Sequence, residues 1–171
     1  MPLRSHTAGT TPGSRVTAVA CRGDAFACAV SAPTALPEVL LWTDSSDEPE
    51  RATAADLHDV AALALASRDA AVAAGRGGAF VVARGTAKQL PIAYDEEPSC
   101  LACDETGQVI AAGVARAVDV ATRDGVRVAK LEGHRGRVTG VAFRAGGGPF
   151  LASCAEDRSF RVWDLRRKTC A

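Results

Sequence analysis

Short apolar runs recur along this chain at intervals near forty residues, and that period limits the possible folds more than any other feature. The pattern apolar-x-x-apolar-x-apolar appears at Val138, Val141 and Phe143, at Val16, Val19 and Cys21, and at Val60, Leu63 and Leu65. A reduced form is present at Leu101 and Cys103, with Pro98 in the first apolar position. The central members Val19, Leu63, Leu101 and Val141 stand 44, 38 and 40 residues apart. Each is followed by a turn and a second run: Ala25–Cys28, Ala71–Gly75, Val109–Gly113 and Phe150–Ser153. A third run closes each unit: Val39–Trp42, Phe80–Val82, Val118–Val120 and Phe160–Trp163. Short apolar runs bounded by turn residues read as strands. A small sheet cannot bury both faces alone, so units repeating at this period must stack on one another.

The fourth unit carries the most specific signal. The stretch LEGHRGRVTGVAFRAGGGPFLASCAEDRSFRVWDLRRK runs from Leu131 to Lys168, opening on Gly133-His134 and closing on Trp163-Asp164. In these two dipeptides and the strand pattern between them it resembles a WD repeat, the unit of β-propellers. The resemblance implies a hydrogen-bonded chain of four side chains inside the blade: His134, Ser153, Asp157 and Trp163. The other three units match by pattern alone. The first keeps Trp42 but has Thr43 where the aspartate would stand, and no GH precedes it. The second places Ala83 at the tryptophan position, with His58 two residues late for a GH histidine. The third has Ala121 there and no histidine.

The expected fold is therefore all-β: a tail over residues 1–14, then four WD-like propeller blades at about 15–49, 50–88, 89–124 and 125–171. Residues 1–14 are polar and contain proline and glycine, which suits them poorly to a ring-closing strand. An open or partial propeller is expected, ending just after the third strand of the last blade and prone to self-association through open sheet edges. Residues 52–75 are rich in alanine and leucine, which favour helix. The match of Val60, Leu63 and Leu65 to the other units favours strand there instead.

Composition enters mainly by exclusion. The 171 residues are 47% hydrophobic and 23% charged with zero formal net charge, as in an ordinary globular protein, so nothing global points to nucleic acid or an anionic membrane. The charge is uneven, however. Residues 1–122 hold 9 basic and 15 acidic side chains, net −6, and residues 123–171 hold 11 and 5, net +6. No run reaches the roughly eighteen apolar residues of a membrane helix, and the N-terminus lacks the apolar core of a signal peptide. A soluble protein of the cytosol or nucleus is expected.

No set of residues points to catalysis. His6 lies in the tail, His58 beside aspartates, and His134 in the blade network. Cys100 and Cys103 form a CxxC, but zinc sites take a second pair, and Cys21, Cys28, Cys154 and Cys170 are scattered. Core filling is the reading for these cysteines, with no metal and no cofactor. Gly75-Arg76-Gly77-Gly78 is followed by the strand-like Phe80-Val81-Val82, not by the Lys-Ser/Thr and helix of a phosphate loop, so it reads as a turn. The acidic runs Asp44–Glu50 and Asp95–Glu97 read as solvated connections. What the resemblance implies is a non-enzymatic scaffold that binds other proteins through blade edges and the top face. Two narrower versions follow. Asp157, Asp164 and Arg166 match the WDxR box by which some WD-repeat proteins dock on the adaptor of a cullin-RING ubiquitin ligase. The basic last blade is the feature an RNA-associated module would use.

Overall fold

The computed structural model describes residues 13–32, 35–42, 48–53, 60–75 and 78–170. Thr43, Asp44 to Asp47, His58, Arg76, Gly77 and residues 1–12 of the expected tail lie outside the described residues. The first sheet consists of β1 (Arg15–Arg22), β2 (Ala25–Ala32), β3 (Ala35–Trp42) and β4 (Glu50–Thr53). The second holds β5 (Ala62–Ser67), β6 (Ala70–Gly75), β7 (Gly78–Ala83) and β8 (Thr86–Gln89). The third holds β9 (Pro98–Cys103), β10 (Val109–Val114), β11 (Ala117–Thr122) and β12 (Arg127–Glu132). The fourth holds β13 (Val138–Phe143), β14 (Phe150–Ala155), β15 (Phe160–Asp164) and the two-residue β16 (Thr169–Cys170). Each sheet is an antiparallel meander with its strands in chain order. The fold is all-β, four propeller blades in an arc.

The forty-residue period has a direct structural meaning. Cross-strand partners line up as Cys21, Phe26 and Trp42 in the first sheet and as Leu65, Ala71 and Val82 in the second. The third and fourth rows are Cys103, Ile110 and Ala121, then Phe143, Leu151 and Trp163. The last three of these rows face the preceding sheet. Leu63, Leu65, Ala71 and Val82 pack on the first sheet's Ala27, Ala29, Val39 and Leu41. Leu101, Cys103 and Ile110 pack on the second sheet, and Leu151 and Trp163 on Val118, Val120 and Leu131 of the third. The core thus lies in three layers between sheets, as stacking of two-faced sheets requires. Alanines fill much of it, which explains why residues 62–75 form strands despite their helical propensity: both faces of β5 and β6 are covered.

Three sequence-level details change. The outer strands β4 and β12 pair with β3 and β11, so they belong to the first and third sheets. The sheets run over residues 15–53, 62–89, 98–132 and 138–170, and the expected divisions at 49/50 and 124/125 fall one strand early. The forty-residue sequence unit is offset from the sheet because its first strand seals the outside of the blade before. In the second sheet the position matching Trp163 is Val82, not Ala83, since Ala71 pairs with Val82 as Leu151 pairs with Trp163. The last sheet also has a fourth strand, β16, beyond the three expected.

The innermost strands β1, β5, β9 and β13 pack side by side in that order. Among the described residues β13 has no comparable packing on β1, so the arc is open. At the lower end, where β1 finishes, Arg22 ties three sheets together. Its Nη1 donates to the carbonyls of Leu65 at 3.1 Å, Ala66 at 2.7 Å and Asp104 at 3.0 Å, and its Nη2 donates to Glu105 O. A planar guanidinium can serve several acceptors at once, which a lysine ammonium on a flexible stem does less well.

Candidate functional site

The upper end of the last blade is built by the β12–β13 loop, residues 133–137, and the β14–β15 turn, residues 156–159. Local chemistry shapes both. The Asp157 carboxylate accepts the Ser159 N–H at 3.0 Å and its hydroxyl at 2.6 Å, closing an Asx-type turn with Arg158 at φ 64°. Gly136 is needed where the loop meets this turn. A Cβ there would stand 2.5 Å from the Asp157 N and 2.9 Å from the Glu156 carbonyl carbon. Glu156 N–H donates to Arg137 O at 2.9 Å, completing the contact.

His134, Ser153, Asp157 and Trp163 come together as one chain of hydrogen bonds. Trp163 Nε1 donates to Ser153 Oγ at 2.8 Å, and an indole N–H can only donate. Ser153 therefore has its own proton free for His134 Nε2, 2.9 Å away. His134 Nδ1 then carries the hydrogen and donates to Asp157 Oδ2 at 3.0 Å. In this sense of the chain Nδ1 is the donor and Nε2 the acceptor. Asp157 Oδ2 also accepts the Arg135 N–H at 2.8 Å. The Ser159 hydroxyl, then the Arg135 and His134 donors, hold the Asp157 carboxyl well below the usual carboxylate range. Trp163 is 2% exposed and meets the His134 ring edge-on, with centroids 6.3 Å apart. The Arg161 guanidinium lies 5.8 Å over its ring. Every member is satisfied, the condition under which a buried polar network stabilises and specifies a fold. The positions matching Ser153 in the other sheets are Cys28, Ala73 and Ala112, so no serine hydroxyl stands there to link such a chain.

The three expected dock residues are not brought together. Asp157 stands at the upper end of β15 and is occupied by the network. Asp164 lies at the lower end, accepting the Arg166 N–H at 2.9 Å with Arg167 Nε 3.8 Å away. Arg166 is exposed in the β15–β16 turn.

The CxxC cysteines cannot act as a pair. Cys100 packs toward the fourth sheet and Cys103 toward the second, on opposite faces of β9. Burial raises both thiols, Cys103 to about 12, so neither is a ready thiolate. Among the described residues no three His, Cys, Asp or Glu side chains are placed to hold a metal ion.

Sequence reasoning misses several residues. Ser159 could have been read from its place two after Asp157. Ser99 donates to Val138 O and Gly113 O, joining the third and fourth sheets, and nothing in its sequence context shows this. Asp119 lies 4% exposed between the second and third sheets, 3.7 Å from Arg127, and among the described residues its oxygens have no hydrogen-bond partner. Burial pushes its carboxyl up, against the pull of Arg127 and Lys130.

Comparison with known proteins agrees with this geometry. Residues 125–164 match the family model described as WD domain, G-beta repeat. The chain carries a WD repeat. That repeat takes in β12 of the third sheet and β13 to β15 of the fourth. A Periodic tryptophan protein 2 homolog of Neurospora crassa is 35% identical over 74 residues, 42% of this chain and 8% of that protein. The uncharacterized WD repeat-containing protein sll1491 of Synechocystis is 40% identical over 65 residues, 37% of this chain and 19% of that protein. The probable cytosolic iron-sulfur protein assembly protein Ciao1 of Drosophila mojavensis is 49% identical over 39 residues, 23% of this chain and 12% of that protein. The matched WD-repeat stretches thus cover 8% to 19% of these relatives' own lengths.

Proposed function

We propose that this chain is a non-enzymatic scaffold that binds other proteins with the loop end carrying His134 and Asp157. The observation that supports it is the network itself, which fixes the β12–β13 loop against the β14–β15 turn and so presents a preformed rim. Next to it an open cleft of about 330 Å³ is lined by Asp95, Glu96, Arg116, Lys130, Glu132 and His134. A second, lined by Glu96, Glu97, Ala115, Arg116 and Arg137, adjoins it. Both signs of charge alternate along this rim, which favours a polar protein surface over a polyanion. No nucleophile stands beside a base there, so binding rather than reaction fits the chemistry. The test is affinity capture with the wild type, with Glu96→Lys/Glu97→Lys and with Arg116→Glu/Arg137→Glu. Loss of a shared partner in both variants at unchanged melting temperature supports the reading, and retention of every partner in both removes it. A narrower version, docking on a ubiquitin-ligase adaptor, draws on the exposed Arg166 alone. Co-precipitation of the adaptor with wild type but not with Arg166→Ala is its test.

A further inference from the structure

The layer between the second and third sheets lies inside the arc, with the first and fourth sheets beyond it on either side. Among the described residues it holds the molecule's one buried carboxyl, Asp119. Asp119 stands two residues before Ala121, whose cross-strand partner Ile110 packs on the second sheet, so strand alternation aims its side chain at the same wall. That wall is apolar, built from Ala66, Ala70, Val72, Ala74, Ala79 and Val81. On β12 the direct cross-strand partner of Asp119 is Lys130. Side chains so paired share one face, with Cβ atoms about 5 Å apart, well within reach of a lysine stem. The Lys130 ammonium nevertheless turns away, with Nζ 3.5 Å from Asp95 Oδ2 and 4.0 Å from Glu132 Oε1. Asp95 belongs to the β8–β9 loop, which crosses from the second sheet to the third and lines the upper cleft with Asp95 and Glu96. Ile92 and Tyr94 pack from this loop into the layer. Among the described residues the Lys130–Asp95 pair is the one polar tie between a sheet and the loop from Pro91 to Glu96.

We propose that Asp119 is a proton-controlled latch on the β8–β9 loop: protonated, it leaves Lys130 on Asp95 and the loop held, and ionised, it draws Lys130 inward and releases the loop. The proton leaves to solvent. Oxygens without a donor fit the neutral form, since a buried carboxylate lacking hydrogen bonds is costly and a proton relieves that cost. Relative magnitudes favour the exchange of partners. Asp95 is 73% exposed, and a pair at such a site contributes little, whereas a buried charge left unpaired costs far more. The groups facing Asp119 come from three elements. Arg127, Lys130 and Glu132 stand on β12, Tyr94 and Asp95 on the loop, and Cys103 on β9 in the same layer, while the second sheet's wall is apolar. Burial is the largest influence and opposes ionisation, Arg127 and Lys130 favour it, and Asp95 and Glu132 oppose it. The carboxyl therefore keeps its proton to a higher pH than an ordinary aspartate. The Tyr94 hydroxyl is held neutral by its own burial and then by the Asp119 charge, so it offers no competing switch.

The experiment uses the full chain. Amide exchange of the loop, referred to the same segment unfolded, is followed from about pH 4 to about pH 8, with the Asp119 carboxyl read by carbon NMR. In the wild type, loop exchange is expected to quicken as pH rises, in step with the Asp119 titration, by up to about fivefold, the ceiling for losing an exposed ion pair. Asp119→Asn has the same shape and no charge, and should keep the slow rate throughout. Asp95→Asn, at an open position that does not threaten the fold, should show the fast rate throughout. Wild-type exchange that ignores the Asp119 titration overturns the proposal, as does a pH response that survives in either variant. Should Asp119→Asn fail to fold, Asp95→Asn still decides. As regulation of binding, the latch rests on the reading of the upper cleft as the binding surface, and affinity capture at the two ends of the pH range separates the two claims. A loop that switches while capture stays constant supports the latch and counts against the cleft. Capture that changes with pH over a loop that does not switch overturns the latch.

Discussion

Replacing Ser153 by alanine isolates the polar chain from the packing around it. The side chain is small and buried, so the volume lost is slight, but two partners lose their bond. The Trp163 N–H loses its acceptor at 2.8 Å and His134 Nε2 loses its donor at 2.9 Å. Each buried polar group left unsatisfied costs about 1–3 kcal/mol, so Ser153→Ala, which orphans two, is expected to cost about 2–6 kcal/mol. Trp163→Phe removes the indole donor at the other end of the same bond. In the double variant the Trp163 orphan no longer exists, and the two effects should fall short of their sum by about 1 kcal/mol. The assay is native-state hydrogen exchange on peptides from residues 133–165, because a stacked array can open one blade at a time and a global melt can hide the loss. Additivity within about 0.3 kcal/mol would refute the assigned chain, leaving Ser153 as ordinary core.

Trp163→Ala should cost about 3–5 kcal/mol, and Trp42→Ala clearly less, since Trp42 lies on the open face of the first sheet; equal melting shifts contradict this. Arg22→Lys should cost about 2–3 kcal/mol by breaking up bonds from the first sheet to the second and third, read as faster amide exchange near Ala66 and Asp104. Asp157 has a folded-state pKa below its unfolded value. Its contribution is therefore fully present above about pH 4 and is lost as pH falls further, as the folded carboxyl takes up its proton. Asp157→Asn should show a flatter decline in last-blade stability on acidification, measured by hydrogen exchange or melting at several pH values, and an unchanged slope would contradict the assignment.

Much of the architecture follows from local pattern. Strand, turn and strand can be read off apolar runs and glycines, because each depends on residues near in sequence. Gly146, Gly147 and Gly148, at φ 78°, 76° and 103°, form a β13–β14 turn that other residues adopt poorly. The network residues were legible for a similar reason: histidine, serine, aspartate and tryptophan at fixed spacings within one repeat describe one local geometry. Where each sheet ends was not legible. The strand before Gly133-His134 resembles the start of its own repeat, yet β12 bonds to β11, and only the packed sheets decide that pairing. Arg22 and Ser99 reach carbonyls 39 to 83 residues away, and no pattern at the arginine or the serine encodes such a partner. The same holds for Val19 and Leu63. Their sequence patterns match, but Leu63 is buried against the first sheet while Val19 is open to solvent. The sequence alone determined that both are inward-type strand residues, since that depends on period-two alternation. Only the tertiary structure decided which is covered, because burial depends on whether another sheet stands in front of it.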